Sequence, residues 1–288
     1  MKEQVYIIEN QESFELRDIF ECGQCFRWNQ EDNLSYTGVF NGNVLNVKKE
    51  NEKVIFKGIV NGDIEKVVKD YFDLDRNYEK IKSVLSKIDI YLNESINYGK
   101  GIRILNQDLW ETIISFIISA NNNISRIKGI IERLSCKYGT AIEWNGKVYY
   151  TFPTAMDLKD ASIEDFRMLG LGFRDVRLFE TTHAILDRKI DLEKLHQEPD
   201  TLKVRDALLT LSGVGPKVAD CILLFSTLKR FDVFPIDVWV RRVMNELYIK
   251  NEDETKVSKK QIAEIAKEKF GDLEGLAQQY LFYWKRDA

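Results

Sequence analysis

Two histidines and four cysteines are all that the 288 residues contain, and each shortage removes a class of chemistry. His183 and His196 stand apart from every other motif, which leaves a histidine-based triad or a metal hydrolase little to work with. Cys22-Gly-Gln-Cys25 has redox or zinc spacing, but a four-ligand zinc or iron–sulfur centre needs a second compact Cys/His pair, and Cys136 and Cys221 are scattered. The pair reads instead as two small residues flanking a glycine turn. No apolar run reaches the roughly eighteen residues of a membrane span. The longest apolar-rich stretch, ETIISFIISA (111–120), ends at Asn-Asn-Asn. Acidic residues interrupt the start, MKEQVYIIENQESFEL, where a secretion signal would be apolar, so a cytoplasmic location is expected.

What is present is a folding composition, with 44% hydrophobic and 31% charged residues and no low-complexity tract. The length suits one large domain or two ordinary ones. A net charge of −4 argues against a nucleic-acid partner. The distribution argues the other way, because residues 201–250 hold eight Lys/Arg against five Asp/Glu.

Residues 1 to about 75 alternate β-rich runs (VYIIEN, CFRWN, LSYTGVF, VLNVKK, KVIFKGIV) with turn signals. Asn-Gly in FNGNV is the strongest hairpin signal, since it supplies the positive φ of a tight two-residue turn. Helices are expected near ESFELRDIF and NGDIEKVVKDYFDLD. Beyond that, apolar residues recur at helical spacing, with Gly and Pro confined to the joints. IEWNGKVYYTFP is the exception, a short hairpin or loop around Asn145-Gly146. The fold class is therefore α+β: a small antiparallel-sheet domain with helices (1–98), then a larger helical domain (99–288).

TLKVRDALLTLSGVGPKVADCILLFSTL reads as helix, tight turn, helix, with Pro216 opening the second helix. Gly213 and Gly215 permit positive φ and leave no side chain over their amide groups, so Gly213-Val214-Gly215 can offer backbone N–H groups to a phosphate. Lys217 then falls in the first helical turn, where the helix dipole disfavours a cation. Pairing with Asp220 at three-residue spacing would make it a surface ion pair. A nucleophile gains from the awkward place, because positive potential and desolvation should release free amine near neutral pH. Twenty residues on, in VFPIDVWV, Pro235 fixes the approach to Asp237, which stands as a helix N-cap or as a carboxylate facing Lys217, or both.

These residues resemble the helix-hairpin-helix DNA glycosylase superfamily, whose signature pairs LSGVGPKVAD with the aspartate of FPID. CGQCFRW, SFIISANNNISRI, LGLGFR and LAQQYLF resemble its 8-oxoguanine branch. The resemblance implies a TBP-like N-terminal sheet domain and an all-α glycosylase domain. It implies a bifunctional glycosylase/lyase acting as a monomer on 8-oxoguanine in double-stranded DNA. Lys217 would attack C1′ of a flipped nucleotide and form an imine, with Asp237 stabilising the cationic sugar. In the base pocket, the Gly23 carbonyl would accept the N7–H that guanine lacks, Cys221 and Phe282 would cover the two faces, and Gln278 would read the Watson–Crick edge, with Pro235 nearby. Asn121 would fill the vacated space, while Arg126, Phe173 and Arg174 surround the estranged cytosine. No cofactor is required, and a monovalent cation at the hairpin carbonyls is left open. Phe173 stands where tyrosine is frequent, Trp239 where eukaryotic relatives use histidine, and no cysteine quartet follows Asp237. Two other readings stay open: a glycosylase for another lesion, and a non-catalytic DNA-binding hairpin whose lysine only touches phosphate.

Overall fold

The computed structural model describes residues 2–9 and 13–287. Asn10 and Glu12, at the ends of an expected strand and helix, lie outside them. The first strands are β1 (Glu3–Glu9), β2 (Trp28–Gln30), β3 (Tyr36–Phe40), β4 (Asn43–Glu50) and β5 (Lys53–Ile59), in one antiparallel sheet of order β1-β5-β4-β3-β2. Asn41 and Gly42, at φ +47° and +74°, close the β3–β4 hairpin as Asn-Gly requires, and Phe40 pairs with Asn43 across it. Helices α1 (Leu16–Phe20) and α2 (Ile64–Tyr71) cover one face, where Trp28, Tyr36, Phe40, Leu45 and Phe56 form an aromatic-rich core with Phe72.

The helical body comprises α3 (Tyr78–Leu85), α4 (Ile90–Tyr98), α5 (Leu109–Ser119), α6 (Ile124–Tyr138), α7 (Ile163–Met168), α8 (Asp175–Leu186), α9 (Leu192–Gln197), α10 (Thr201–Leu209), α11 (Pro216–Phe225), α12 (Val238–Met244), α13 (Lys259–Phe270) and α14 (Glu274–Asp287). Apolar residues surround α5 on all sides because it is the central helix, buried from Ile113 to Ile118 and packed along α11. Asp108, Asn123 and Asp237 accept backbone N–H groups at the starts of α5, α6 and α12, a contribution of about 1 kcal/mol each. Tyr78, Leu85, Leu92 and Ile96 join this helical core rather than the core of the sheet.

The interruption expected at Asn145-Gly146 is a hairpin, β6 (Ala141–Trp144) and β7 (Lys147–Tyr150). Its Ile142 and Trp144 pack on Val39, Val44 and Ile59 of the sheet, and Trp144 donates to Glu3 at 2.8 Å. Cys22 and Cys25 are free thiols facing different ways, Cys22 into the helical core and Cys25 into the sheet core. Burial pushes the Cys22 thiol up to about 12.

A polar network fastens the far side of the junction. Buried Arg103 donates to the carbonyls of Phe72 and Asp73 at 3.1 and 2.5 Å, and Tyr78 donates to the Asp73 carboxylate at 2.9 Å. Lys229 reaches the same carboxylate at 3.4 Å and the Ile104 carbonyl. Burial pushes the Lys229 ammonium down to about 7, against the pull of Asp73. Between about 7 and the ordinary value of 10.5, the unfolded chain therefore holds a proton that the folded chain has released, so stability rises with pH across that window. Urea unfolding at several pH values should show this rise, and Lys229→Met should flatten it; an equal slope in the variant contradicts the assignment.

Candidate active site

The turn before α11 uses its two glycines differently. Gly213 takes φ +84°, and a Cβ there would lie 2.9 Å from Arg177 Cδ. Gly215 is extended at φ −92° and ψ 178°, the N-cap conformation of α11. What it contributes is openness, since an added Cβ would meet nothing within 4 Å. Val214 between them is buried, and its N–H is held by Leu211 O at 3.1 Å. Ser212 O accepts from Thr181 at 2.9 Å, so a cation at these carbonyls would have to share oxygens already in use.

Pro216 and Lys217 open α11. The surface pair with Asp220 does not form, because Arg205 Nε takes that carboxylate at 2.6 Å. Lys217 turns inward, with Nζ 5.4 Å from the centre of the Phe116 ring. Its pKa is raised, the reverse of the sequence expectation: Cys221 acts most strongly, burial works the other way, and Asp237 adds to the rise. Burial pushes the Cys221 thiol up to about 11, with Lys217 pulling the other way. The expectation failed because it weighed the helix dipole and burial but could not place Asp237 and Cys221.

Asp237 caps α12, accepting from Val240 N at 2.8 Å, so its carboxylate has a fixed orientation. Lys217 and Asp237 line one cleft of about 580 Å³, with Gly23, Asn121, Phe282 and Arg241 around it. A recess of about 50 Å³ shares Lys217, Asp237, Gly23 and Phe282 with the cleft and adds Cys221, Pro235 and Gln278. At roughly 30 Å³ per water the recess has room for a water or two, so a purine enters only if a wall moves. Gln278 already has an acceptor to spare here, for its Oε1 is buried without a hydrogen-bond partner among the described residues.

Gly23 reaches this site through contacts that sequence reasoning missed. It sits at φ +89° in a turn held from three sides. Gln279 donates to Cys22 O at 2.6 Å. Gln107 bridges Gln24 O at 2.7 Å and Phe225 O, at the end of α11, at 3.0 Å. The fully buried Gln24 side chain donates to Ile19 O and Arg103 O at 2.8 and 2.7 Å and accepts from Leu105 N at 2.9 Å. One polar residue inside CGQCF was the available signal.

The expected DNA contacts gather at the rim. Asn121, at φ +51°, lines the cleft where α5 ends. Phe173 is 55% exposed and stacks between Arg174 and Arg177, whose guanidinium carbons lie 4.2 and 5.0 Å from its ring centre. Arg126 is exposed and donates to Gly170 O at 3.2 Å. Arg174, expected to face the opposite base, is 2% exposed and donates to the carbonyls of Ala120, Asn121 and Leu171. In this arrangement it shapes the Asn121 turn and has no free donor fork to offer.

A lysine at the hairpin turn and a capping aspartate thus line one cleft. Residues 114–270 match the HhH-GPD superfamily of base excision DNA repair proteins, and residues 6–113 match the N-terminal domain of 8-oxoguanine DNA glycosylase. The chain belongs to that superfamily, and to its 8-oxoguanine DNA glycosylase branch. A crystal structure of Clostridium acetobutylicum 8-oxoguanine glycosylase/lyase in complex with dsDNA containing cytosine opposite to 8-oxoG is 43% identical, with a TM-score of 0.93 over 99% of this chain and 97% of that one. The "Probable N-glycosylase/DNA lyase" of Methanothermobacter thermautotrophicus is 32% identical over 73% of this chain and 71% of its own. The N-glycosylase/DNA lyase of Saccharomyces cerevisiae is 30% identical over 81% of this chain and 68% of its own.

Gln24→Leu keeps the bulk of the side chain but strands Arg103 O and Leu105 N, and leaves Ile19 O with only the Cys22 thiol at 3.4 Å. At about 1–3 kcal/mol per unsatisfied buried group, it should lower the unfolding free energy by at least about 2 kcal/mol in urea titration; a loss below about 1 kcal/mol would show that the turn does not depend on it.

Proposed function

We propose that this chain is a bifunctional DNA glycosylase and abasic-site lyase that excises 8-oxoguanine from duplex DNA. The observation that carries the reading is the meeting of Lys217 and Asp237 in one cleft with a recess lined by Gly23, Cys221, Gln278 and Phe282. A lysine that only touched phosphate would have no need of burial or of a facing carboxylate, which disfavours the non-catalytic hairpin.

The damaged nucleotide leaves the stack at a cost of a few kcal/mol, and Asn121 occupies its place. The base enters between Cys221 and Phe282, its N7–H donates to the Gly23 carbonyl, and its Watson–Crick edge meets Gln278. Guanine would leave that carbonyl facing a lone pair, a penalty of about 1–3 kcal/mol. As the C1′–N9 bond breaks, its electron pair leaves with the base, which takes up a proton, and Asp237 stabilises the positive sugar. The Lys217 amine, having lost its ammonium proton within the complex, bonds to C1′; the C1′–O4′ bond then opens, O4′ takes up a proton shed by the nitrogen, and an iminium is left at C1′. Loss of a C2′ proton then expels the 3′ phosphate by β-elimination. These steps use no cofactor, and a DNA substrate puts the place of action at the chromosome.

Borohydride added during turnover of an 8-oxoguanine:cytosine duplex should trap a covalent complex that Lys217→Gln abolishes, while Asp237→Asn should slow excision by about a hundredfold or more. Trapping that persists in Lys217→Gln removes this residue from the chemistry, and faster cleavage of a pyrimidine lesion contradicts the role of Gly23. Because the free protein holds Lys217 as an ammonium, kcat/KM at constant ionic strength should climb from pH 7 to pH 9 or so; a flat profile would contradict the raised pKa.

A further inference from the structure

Arg241 lies four residues beyond Asp237 on α12, hence on the same side of the helix, and it lines the cleft with Lys217 and Asp237. Its Nε is shut off from solvent and has no hydrogen-bond partner among the described residues. A guanidinium N–H sealed in this way is costly unless something completes it. The next residue shows the ordinary alternative: Arg242 is exposed, and its Nε lies 3.2 Å from Glu254 Oε1. Both arginines sit in the last turn of α12, where a cation complements the helix dipole. The dipole asks only for a charge in that turn, not for an N–H closed off beside the catalytic pair.

The surroundings define what would complete it. Lys217, Arg241, Lys259 and Arg286 line the cleft against a single lining carboxylate, that of Asp237. The missing partner is therefore an anion, and the paired N–H groups of a guanidinium match two oxygens of a phosphate better than a lysine can. Building on the glycosylase reading, we infer that Arg241 turns its guanidinium into the cleft and grips a phosphodiester adjoining the everted nucleotide. Held one helical turn from Asp237, that phosphate fixes where the sugar lies relative to Lys217. Arg241 thus acts as a positioning residue for the reaction, distinct from the hairpin amides at Gly213–Gly215.

The test is binding of an 8-oxoguanine:cytosine duplex across a salt series by the unsubstituted protein and by Arg241→Gln. A phosphate contact contributes a slope of about −0.9 to log K against log[salt], so the variant should bind more weakly with a slope shallower by roughly one. Duplexes with a neutral methylphosphonate at the linkage 5′ or 3′ to the lesion locate the contact: one of them should weaken the unsubstituted protein yet leave Arg241→Gln unaffected. The melting temperature of the variant should hold or rise, since an unpaired buried group has been removed. A lower melting temperature with an unchanged salt slope would make the residue merely structural and overturn the inference. So would indifference of the unsubstituted protein to both neutral linkages, a result that does not depend on whether the variant folds. Excision by the unsubstituted protein is measured alongside; its absence contradicts the proposed function, whereas excision with an unchanged slope contradicts only the role of Arg241.

Discussion

A buried ammonium at the start of a helix is the constraint around which the site is arranged. Lys217 loses water and faces the positive end of α11, two effects that would expel its charge if nothing opposed them. The opposition comes first from Cys221 and then from Asp237, itself held by the Val240 N–H at the start of the next helix, α12. Two helix N-termini thus share one cleft, with the cation of one beside the carboxylate of the other. Such a site is stable while the protein is free and becomes reactive when a ligand alters the balance, since the proton that Cys221 and Asp237 favour on the lysine is the one the chemistry must remove.

The rest of the fold delivers partners to that pair from far away in sequence. The sheet module contributes the Gly23 turn, and its orientation depends on glutamines rather than on apolar packing alone. Gln24 is pinned to the chain at 103–105, Gln107 ties the same turn to the end of α11, and Gln279 ties it to α14. The Gly23 turn, the lysine helix and the helix carrying Gln278 and Phe282 are therefore joined through glutamine hydrogen bonds to the carbonyls on either side of Gly23. Cys22 and Cys25 show the same joint from the apolar side, each anchoring the turn in a different core.

Much of this was legible in the sequence because it is local. Asn41-Gly42 and Asn145-Gly146 state their turns through the φ values they permit, and both hairpins form. Pro216 at the first helical position and Asp237 at a cap are likewise written into short stretches. What failed was non-local. The pKa of Lys217 depends on Cys221 and Asp237 as neighbours in space, and Arg174 turned out to be engaged by carbonyls more than fifty residues earlier. At Gly215 the N-cap next to proline is extended, so its lack of a side chain matters for space and not for φ.

The most direct measurement is a crystal structure of Lys217→Gln bound to a duplex carrying 8-oxoguanine opposite cytosine. The account predicts the base everted into an enlarged recess between Cys221 and Phe282, with N7 within hydrogen-bond distance of Gly23 O and C1′ facing position 217. A base that stays stacked, or one that lodges away from residues 217 and 237, would contradict it.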